Sequence, residues 1–511
     1  MTVLRNSTAN ILAQGVSILV GLYFTPYLIK HLGVTAYGVA PLVMSVFVFA
    51  QWISSATTYS VGRYLTIAHV RGETEEVAVI FNTTMVVSLL YNALVVLAGV
   101  ALSPFASSLL RLPPGTEHAA AILIFLGGAA TAFNLLSGVT QVSFYCLNRF
   151  DLRALITTAG SVGSVALVVA MFGLAGPRLE WVGAGSCAAA GAVTFASFLW
   201  GKRLIPALSF KPRLFSWRHF KMMLGTNVWV VIDGLGVVFL FGVALLLVNR
   251  LFGPEVSAVY ALAASWEARL KGFMTSLTVF TPKFVSLFGQ NDIAGLRAHA
   301  QRASRFVGVV TGIVGGVLIG MSGVLPEIWL KRPVEHMGAY MAALMAITVV
   351  NAAANPLFGV WQAFNRVRVP CFVTLGTGVL SIALSVLLAK TTLLGPWAVI
   401  AGIGTAYTLR NTIFVFQYVA RLLGCPATSF YASAASSIGA CAIAAAASWA
   451  LTQAANPAGW IGAGLVAAVS LAVAVPLIAI LVLGRPDREA AIAAARSGLR
   501  RSVATLAGAL R

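Results

Sequence analysis

The chain has 511 residues, 59% of them hydrophobic and only 9% charged, against roughly a quarter charged in an ordinary soluble domain. So few charges cannot cover a soluble globule of this size. The mean hydropathy of +0.91 agrees: this is the composition of an all-α polytopic membrane protein, with no polar block long enough for a large extramembrane catalytic domain.

The formal net charge of +20 comes from Lys and Arg scattered singly or in small groups between apolar runs. That is the pattern of loops on the cytoplasmic side of a bilayer. No basic patch with interleaved aromatics marks a nucleic-acid partner.

A helical span needs about 20 apolar residues. Fourteen runs qualify, at 8–30, 37–61, 78–103, 118–146, 154–175, 181–201, 222–249, 257–282, 303–326, 338–363, 370–390, 395–419, 430–451 and 460–483. The first is long enough to span and has no small-residue cleavage site, so it reads as a retained helix. Placing the N-terminus in the cytoplasm puts most Lys and Arg inside, including Arg149, Arg153, the cluster from Lys202 to Lys221, Arg297, Arg366, Arg410 and the arginines of the tail. An even number of spans then brings the C-terminus inside as well.

An internal repeat recurs at about 220 residues. Gln14-Gly15 matches Asp233-Gly234, His31-Leu32-Gly33 matches Leu251-Phe252-Gly253, Asn134 matches Asn351, and Leu147-Asn148-Arg149 matches Phe364-Asn365-Arg366. Six spans separate the matches, so the halves share one orientation, as in parallel repeats related by an axis along the membrane normal. The expected organisation is an N-terminal lobe 1–203 and a C-terminal lobe 222–421 around a central cavity, joined by a cytoplasmic linker 204–221. Two further helices follow at 422–484, then a basic amphipathic tail 485–511 lying on the anionic leaflet. The Asn-Arg pairs read first as helix C-caps at the cytoplasmic boundary.

Ionisable groups inside spans are costly, so each is a functional candidate. The run at 257–282 carries Glu267, Arg269 and Lys271, and the run at 222–249 carries Asp233. Arg269 lies about 21 Å from the end of its run near Lys283, close to mid-bilayer. Glu267 and Lys271 share a helix face and Arg269 points away from both. Two arrangements are open: Glu267 and Lys271 neutralise each other while Arg269 faces the cavity, or Arg269 packs against a neighbour's carbonyls instead. A buried guanidinium suits an anionic, phosphorylated substrate, which makes Arg269 and Lys271 candidate substrate contacts. Asp233 and Glu267 are their charge partners or sites for a coupling cation. In the first half, Asn10, Gln14, Gln51 and Tyr59 are candidates for hydrogen bonds to a glycan.

The six histidines share no ligand spacing, the five cysteines form no CxxC pair, and no phosphate-binding loop is present. No catalytic constellation, metal site or cofactor is expected, and the chain does not read as an enzyme.

The segment Asn6-Ser-Thr-Ala-Asn-Ile-Leu-Ala-Gln-Gly, then Pro26-Tyr-Leu-Ile-Lys-His-Leu-Gly-Val-Thr-Ala-Tyr-Gly, and the Phe364-Asn365-Arg366 triplet resemble the polysaccharide flippase family. That family belongs to the multidrug/oligosaccharidyl-lipid/polysaccharide exporter superfamily, and the likeness in pattern runs over nearly the whole chain. The resemblance implies a flippase that carries undecaprenyl-diphosphate-linked oligosaccharide across the inner membrane by alternating access, for O-antigen, capsule or exopolysaccharide synthesis. Its partners would be the lipid-linked glycan, the phospholipid bilayer and a glycan polymerase or ligase of the same pathway. The lipid II branch uses mid-span arginines in its first two spans. This chain lacks them, which favours another lipid-linked glycan. Multidrug exporters of the superfamily place acidic residues in the first lobe or the seventh span. Asp233 matches the latter, so a cation-coupled multidrug antiporter is the alternative.

Overall fold

In the computed structural model, which describes residues 2–277 and 280–482, every regular element among the described residues is helical. Among the described residues, twelve helices are long and apolar enough to cross a membrane, the first being Leu12–Leu32 and the last Trp460–Leu481. They account for twelve of the fourteen runs. The run at 37–61 is instead divided between Val34–Val46 and Val48–Val70, with a break at Phe47. The run at 257–282 forms the 23-residue helix Pro254–Ser276, whose three mid-helix charges lower its hydropathy. The tail expected to be amphipathic lies outside the described residues.

The chain divides into two compact units. One comprises the residues up to Ala263 together with Val367–Tyr407, and the other comprises Ala264–Arg366 and the described residues from Thr408 onward.

The repeat is written into the backbone. Gly33 and Gly253 have φ values of 88° and 93°, and Asn148 and Asn365 have 52° and 54°. Gly72 pairs with Asn291 and Gly176 with Gly395 in the same way, each pair about 220 residues apart and each member at positive φ. Only Gly, and Asn more readily than most residues, adopts this region at low cost. The two Asn-Arg sites also share one hydrogen-bond pattern. Asn148 N donates to Tyr145 O and Arg149 N to Phe144 O, while Asn365 N donates to Gln362 O and Arg366 N to Trp361 O. These are left-handed helix C-caps that satisfy the last carbonyls of a helix.

Within the first unit, an apolar core of Val39, Leu42, Val43, Phe47, Leu123 and Ile124 joins helices Val34–Val46 and Glu117–Thr140. The linker after helix Glu180–Leu204 is strapped to helix Thr74–Leu102. Asn82, fully buried, donates Nδ2–H to Ser209 O at 3.0 Å and accepts from Lys211 N at 2.5 Å. Ser216 N donates to Thr83 Oγ1, and His219 Nε2 lies 2.7 Å from Glu76 Oε1.

Within the second unit, helix Ile293–Gly320 presents Gly308, Gly312, Gly316 and Gly320 to helix Thr428–Ala455. A Cβ on Gly316 would lie 2.5 Å from Cys441 O, and one on Gly320 would lie 2.5 Å from Ala445 O. Small residues every fourth position let two backbones approach where lipid provides no hydrophobic drive. Ser448 Oγ crosses the seam to Val317 O at 3.0 Å.

Candidate functional site

The charged cluster sits on helix Pro254–Ser276, in the part that belongs to the second unit. Leu270, 1% exposed, faces the core, while Met274 packs with Val307 and Ala352. These apolar anchors fix the helix rotation and so fix the directions of the charges between them.

Lys271 Nζ lies 2.7 Å from Glu267 Oε1, and the two side chains are 27% and 13% exposed. Thr348 on helix Met337–Asn351 donates its hydroxyl to the same Glu267 oxygen at 3.1 Å. The Glu267–Lys271 ion pair of the first expected arrangement is present.

Arg269 does take the other face. One guanidinium nitrogen donates to Ser265 O at 2.8 Å and lies 3.0 Å from Ser265 Oγ, one turn back on the same helix. Its guanidinium carbon lies 5.5 Å from the Trp266 ring centre and 5.7 Å from that of Trp329, and the two indoles meet edge to face at 5.5 Å. Indole faces attract a cation without neutralising it. The two indoles and Ser265 therefore hold the guanidinium in one orientation. Trp266 itself is 6% exposed, and its buried indole N–H has no acceptor among the described residues. A buried donor without an acceptor is costly, so the cage sets a guanidinium beside an indole N–H that none of the described residues satisfies.

Asp233 is half-buried on helix Trp217–Val237 in the first unit, just before the π-helical turn Val238–Gly242. Gln14 and Gln51 are exposed. The side chains of Asn10 and Tyr59 lie outside the described residues. Among the described residues no group of three or more His, Cys, Asp or Glu is placed to hold a metal ion.

One charged residue was misplaced by the loop assignment. Arg410 is not cytoplasmic; it lies midway along the apolar helical segment Trp397–Leu423, 7% exposed, at the start of the π-helical turn Arg410–Val415. Its guanidinium lies 5.0 Å from the Phe358 ring centre. Beside it, Asn411 donates to Asn351 Oδ1 at 2.8 Å, and Asn351 donates to Thr408 Oγ1 at 3.1 Å. The signal was present in the sequence, since Arg410 falls inside the run at 395–419.

Fold and site together define a polytopic, all-helical membrane protein with ionisable groups held inside its apolar helices. The fold is shared with solved transporters. The chain is similar to an outward-facing multidrug resistance MATE family transporter of the MOP superfamily, with a TM-score of 0.61, 14% identity, and 83% of this chain and 95% of that one covered. It is also similar to the lipid II flippase MurJ in an inward closed conformation, with a TM-score of 0.60, 15% identity, and coverage of 92% and 98%. By sequence it is 27% identical over 421 residues to the uncharacterized membrane protein EpsK of Bacillus subtilis (strain 168), covering 82% of this chain and 83% of that protein. None of the three is described as an enzyme. No family model matches the chain.

Proposed function

We propose that this protein is a flippase that carries a lipid-linked oligosaccharide, anchored through a diphosphate to a polyprenyl chain, across the bacterial inner membrane by alternating access. Both termini lie in the cytoplasm. The transported glycan serves O-antigen, capsule or exopolysaccharide synthesis, and a polymerase or ligase receives it.

The observation that carries this reading is the Arg269 cage. A guanidinium held by Ser265, Trp266 and Trp329 inside an apolar helix, next to a buried indole N–H without an acceptor among the described residues, is suited to a phosphate oxygen. A charge-assisted bond is stronger in such surroundings than in water. Lys271, held by Glu267, adds a second cation that changes partner when a diphosphate arrives. Asn10, Gln14, Gln51 and Tyr59 supply neutral hydrogen-bonding groups for the sugar. The fold shared with a lipid II flippase supports the same reading.

The test is flipping of an undecaprenyl-diphosphate-linked glycan in proteoliposomes. Arg269→Gln is expected to slow flipping by about tenfold or more, while Asp233→Asn retains it.

A second reading, a cation-coupled multidrug antiporter, is favoured by half-buried Asp233 beside a π-helical turn and by the fold shared with a multidrug transporter. Efflux of ethidium that collapses in Asp233→Asn, together with absence of glycan-lipid flipping in the wild type, would establish that reading and overturn the first.

A further inference from the structure

Helices Phe150–Ala175 and Glu180–Leu204 of the first unit touch at Gly160 and Gly185 and leave an open cleft of about 430 Å³ along their seam. Every lining residue is Gly, Ala, Val, Leu or Ile. Ile156, Gly160 and Gly163 line one wall, and Ala189, Ala192 and Ala196 line the other.

The glycines of this cleft are not equivalent. A Cβ on Gly160 would collide with Val193, and one on Gly185 would meet Val168 at 2.6 Å, so both are required for helix packing. Gly163 has a helical backbone and nothing within 4 Å of its Cβ position. The cleft is therefore open at Gly163, and a larger side chain there would enter it.

Helical register carries the same two walls to one cationic end. Arg153 lies seven residues before Gly160, and Arg203 seven residues after Ala196. Two helical turns separate each pair, so each arginine shares the face of its wall. Arg153 is positioned by donating to Gln141 Oε1 at 2.9 Å and to Tyr145 Oη at 2.7 Å, which leaves three of its five N–H donors. Arg203 lies over the Trp200 ring at 5.7 Å, and Lys202 beside it is exposed. The nearby acid, Asp151, is paired with Arg149.

We infer that this cleft is a binding site for one anionic glycerophospholipid of the adjoining leaflet, with a single acyl chain lying in the groove along the seam of the two helices and its phosphate at Arg153 and Arg203. Length selects the occupant. From Leu155 to Leu167 the cleft runs about 18 Å, close to one leaflet of a core about 30 Å thick. An acyl chain ends at the midplane, whereas a long polyprenyl chain overruns it. Charge selects the headgroup. The site is separate from the Arg269 cage and does not depend on the transported substrate.

The experiment is native mass spectrometry of the delipidated full chain in detergent, titrated with dioleoyl-phosphatidylglycerol, dioleoyl-phosphatidylcholine or undecaprenyl phosphate. One phosphatidylglycerol is expected to bind at least about fivefold more tightly than phosphatidylcholine, in line with the attraction of each surface arginine for an anionic lipid. Gly163→Leu fills the cleft without a clash and is expected to weaken that binding about tenfold. Ala192→Leu does the same from the facing wall and serves if the first variant folds poorly. Arg153→Gln with Arg203→Gln removes the preference for phosphatidylglycerol but retains phosphatidylcholine. Equal retention in wild type and both cleft-filling variants overturns the site. Displacement of phosphatidylglycerol by substoichiometric undecaprenyl phosphate overturns the assignment of its occupant.

Discussion

Replacing Glu267 by Gln removes one partner of the Glu267–Lys271 pair and keeps the shape of the side chain. Two unit charges about 3 Å apart attract by about 5 kcal/mol at an effective dielectric near 20. Most of that is offset by taking both groups out of water. Lys271 retains 27% side-chain exposure, so the isolated ammonium recovers part of its hydration. The net cost of Glu267→Gln is therefore about 1–3 kcal/mol, below the 3–5 typical of a fully buried broken pair. Lys271→Met costs less, because the remaining carboxylate still accepts from Thr348. The double variant Glu267→Gln/Lys271→Met leaves no uncompensated charge and is expected to be more stable than Glu267→Gln alone. The assay is unfolding of the detergent-solubilised protein by heat or denaturant, arranged as a double-mutant cycle. Additive losses in the double variant would refute the reasoning, because they would mean that the two charges do not stabilise each other.

Gly316→Leu drives a side chain into the Cys441 and Ala445 backbone and the Ala444 methyl group and is expected to cost at least about 3 kcal/mol or abolish folding, read as loss of monodisperse protein on size exclusion. Asn82→Leu removes both linker hydrogen bonds while burying no new polar group, and a loss of about 2–3 kcal/mol should appear with faster proteolysis within 205–216. Arg297 donates to Leu423 O and Gly424 O at the end of helix Phe416–Leu423, so Arg297→Gln should lower stability by about 1–3 kcal/mol. Burial pushes the nearby Cys425 thiol up, and the Arg297 charge partly offsets this. Alkylation of Cys425 should therefore be slow at neutral pH, accelerate as pH rises past the ordinary thiol range, and slow further at fixed pH in Arg297→Gln.

The spans were legible because a bilayer allows little besides a continuous apolar helix. The charges were legible in part. The Glu267–Lys271 pair is a local, four-residue relation, and helical geometry announces it. The cage around Arg269 is not local: Trp329 lies 63 residues beyond Trp266, and no periodicity connects them. Arg410 was assigned with the loop arginines although it falls inside the run at 395–419. The helix in fact continues through it to Leu423 by widening into a π turn, a local irregularity associated with functional sites. The break at Phe47 went unread for the opposite reason. Hydropathy continues across it, and only the backbone turns.

The repeat separates scaffold from chemistry. A displacement of about 220 residues carries one positive-φ position onto another at Gly33 and Gly253 and at Gly72 and Asn291, so the places where the chain turns are duplicated. Applied to Glu267, Arg269 and Lys271, the same displacement lands on Phe47, Phe49 and Gln51, and applied to Arg410 it lands on Ala190. Asp233 falls on Gln14 by the alignment of the flanking glycines. Every one of these ionisable groups thus has a neutral counterpart. A charge needed only to hold a helix in place would be expected in both copies, since both copies must pack. The duplicated part of the sequence is thus the one that turns the chain, and the ionisable groups inside the spans belong to one copy alone.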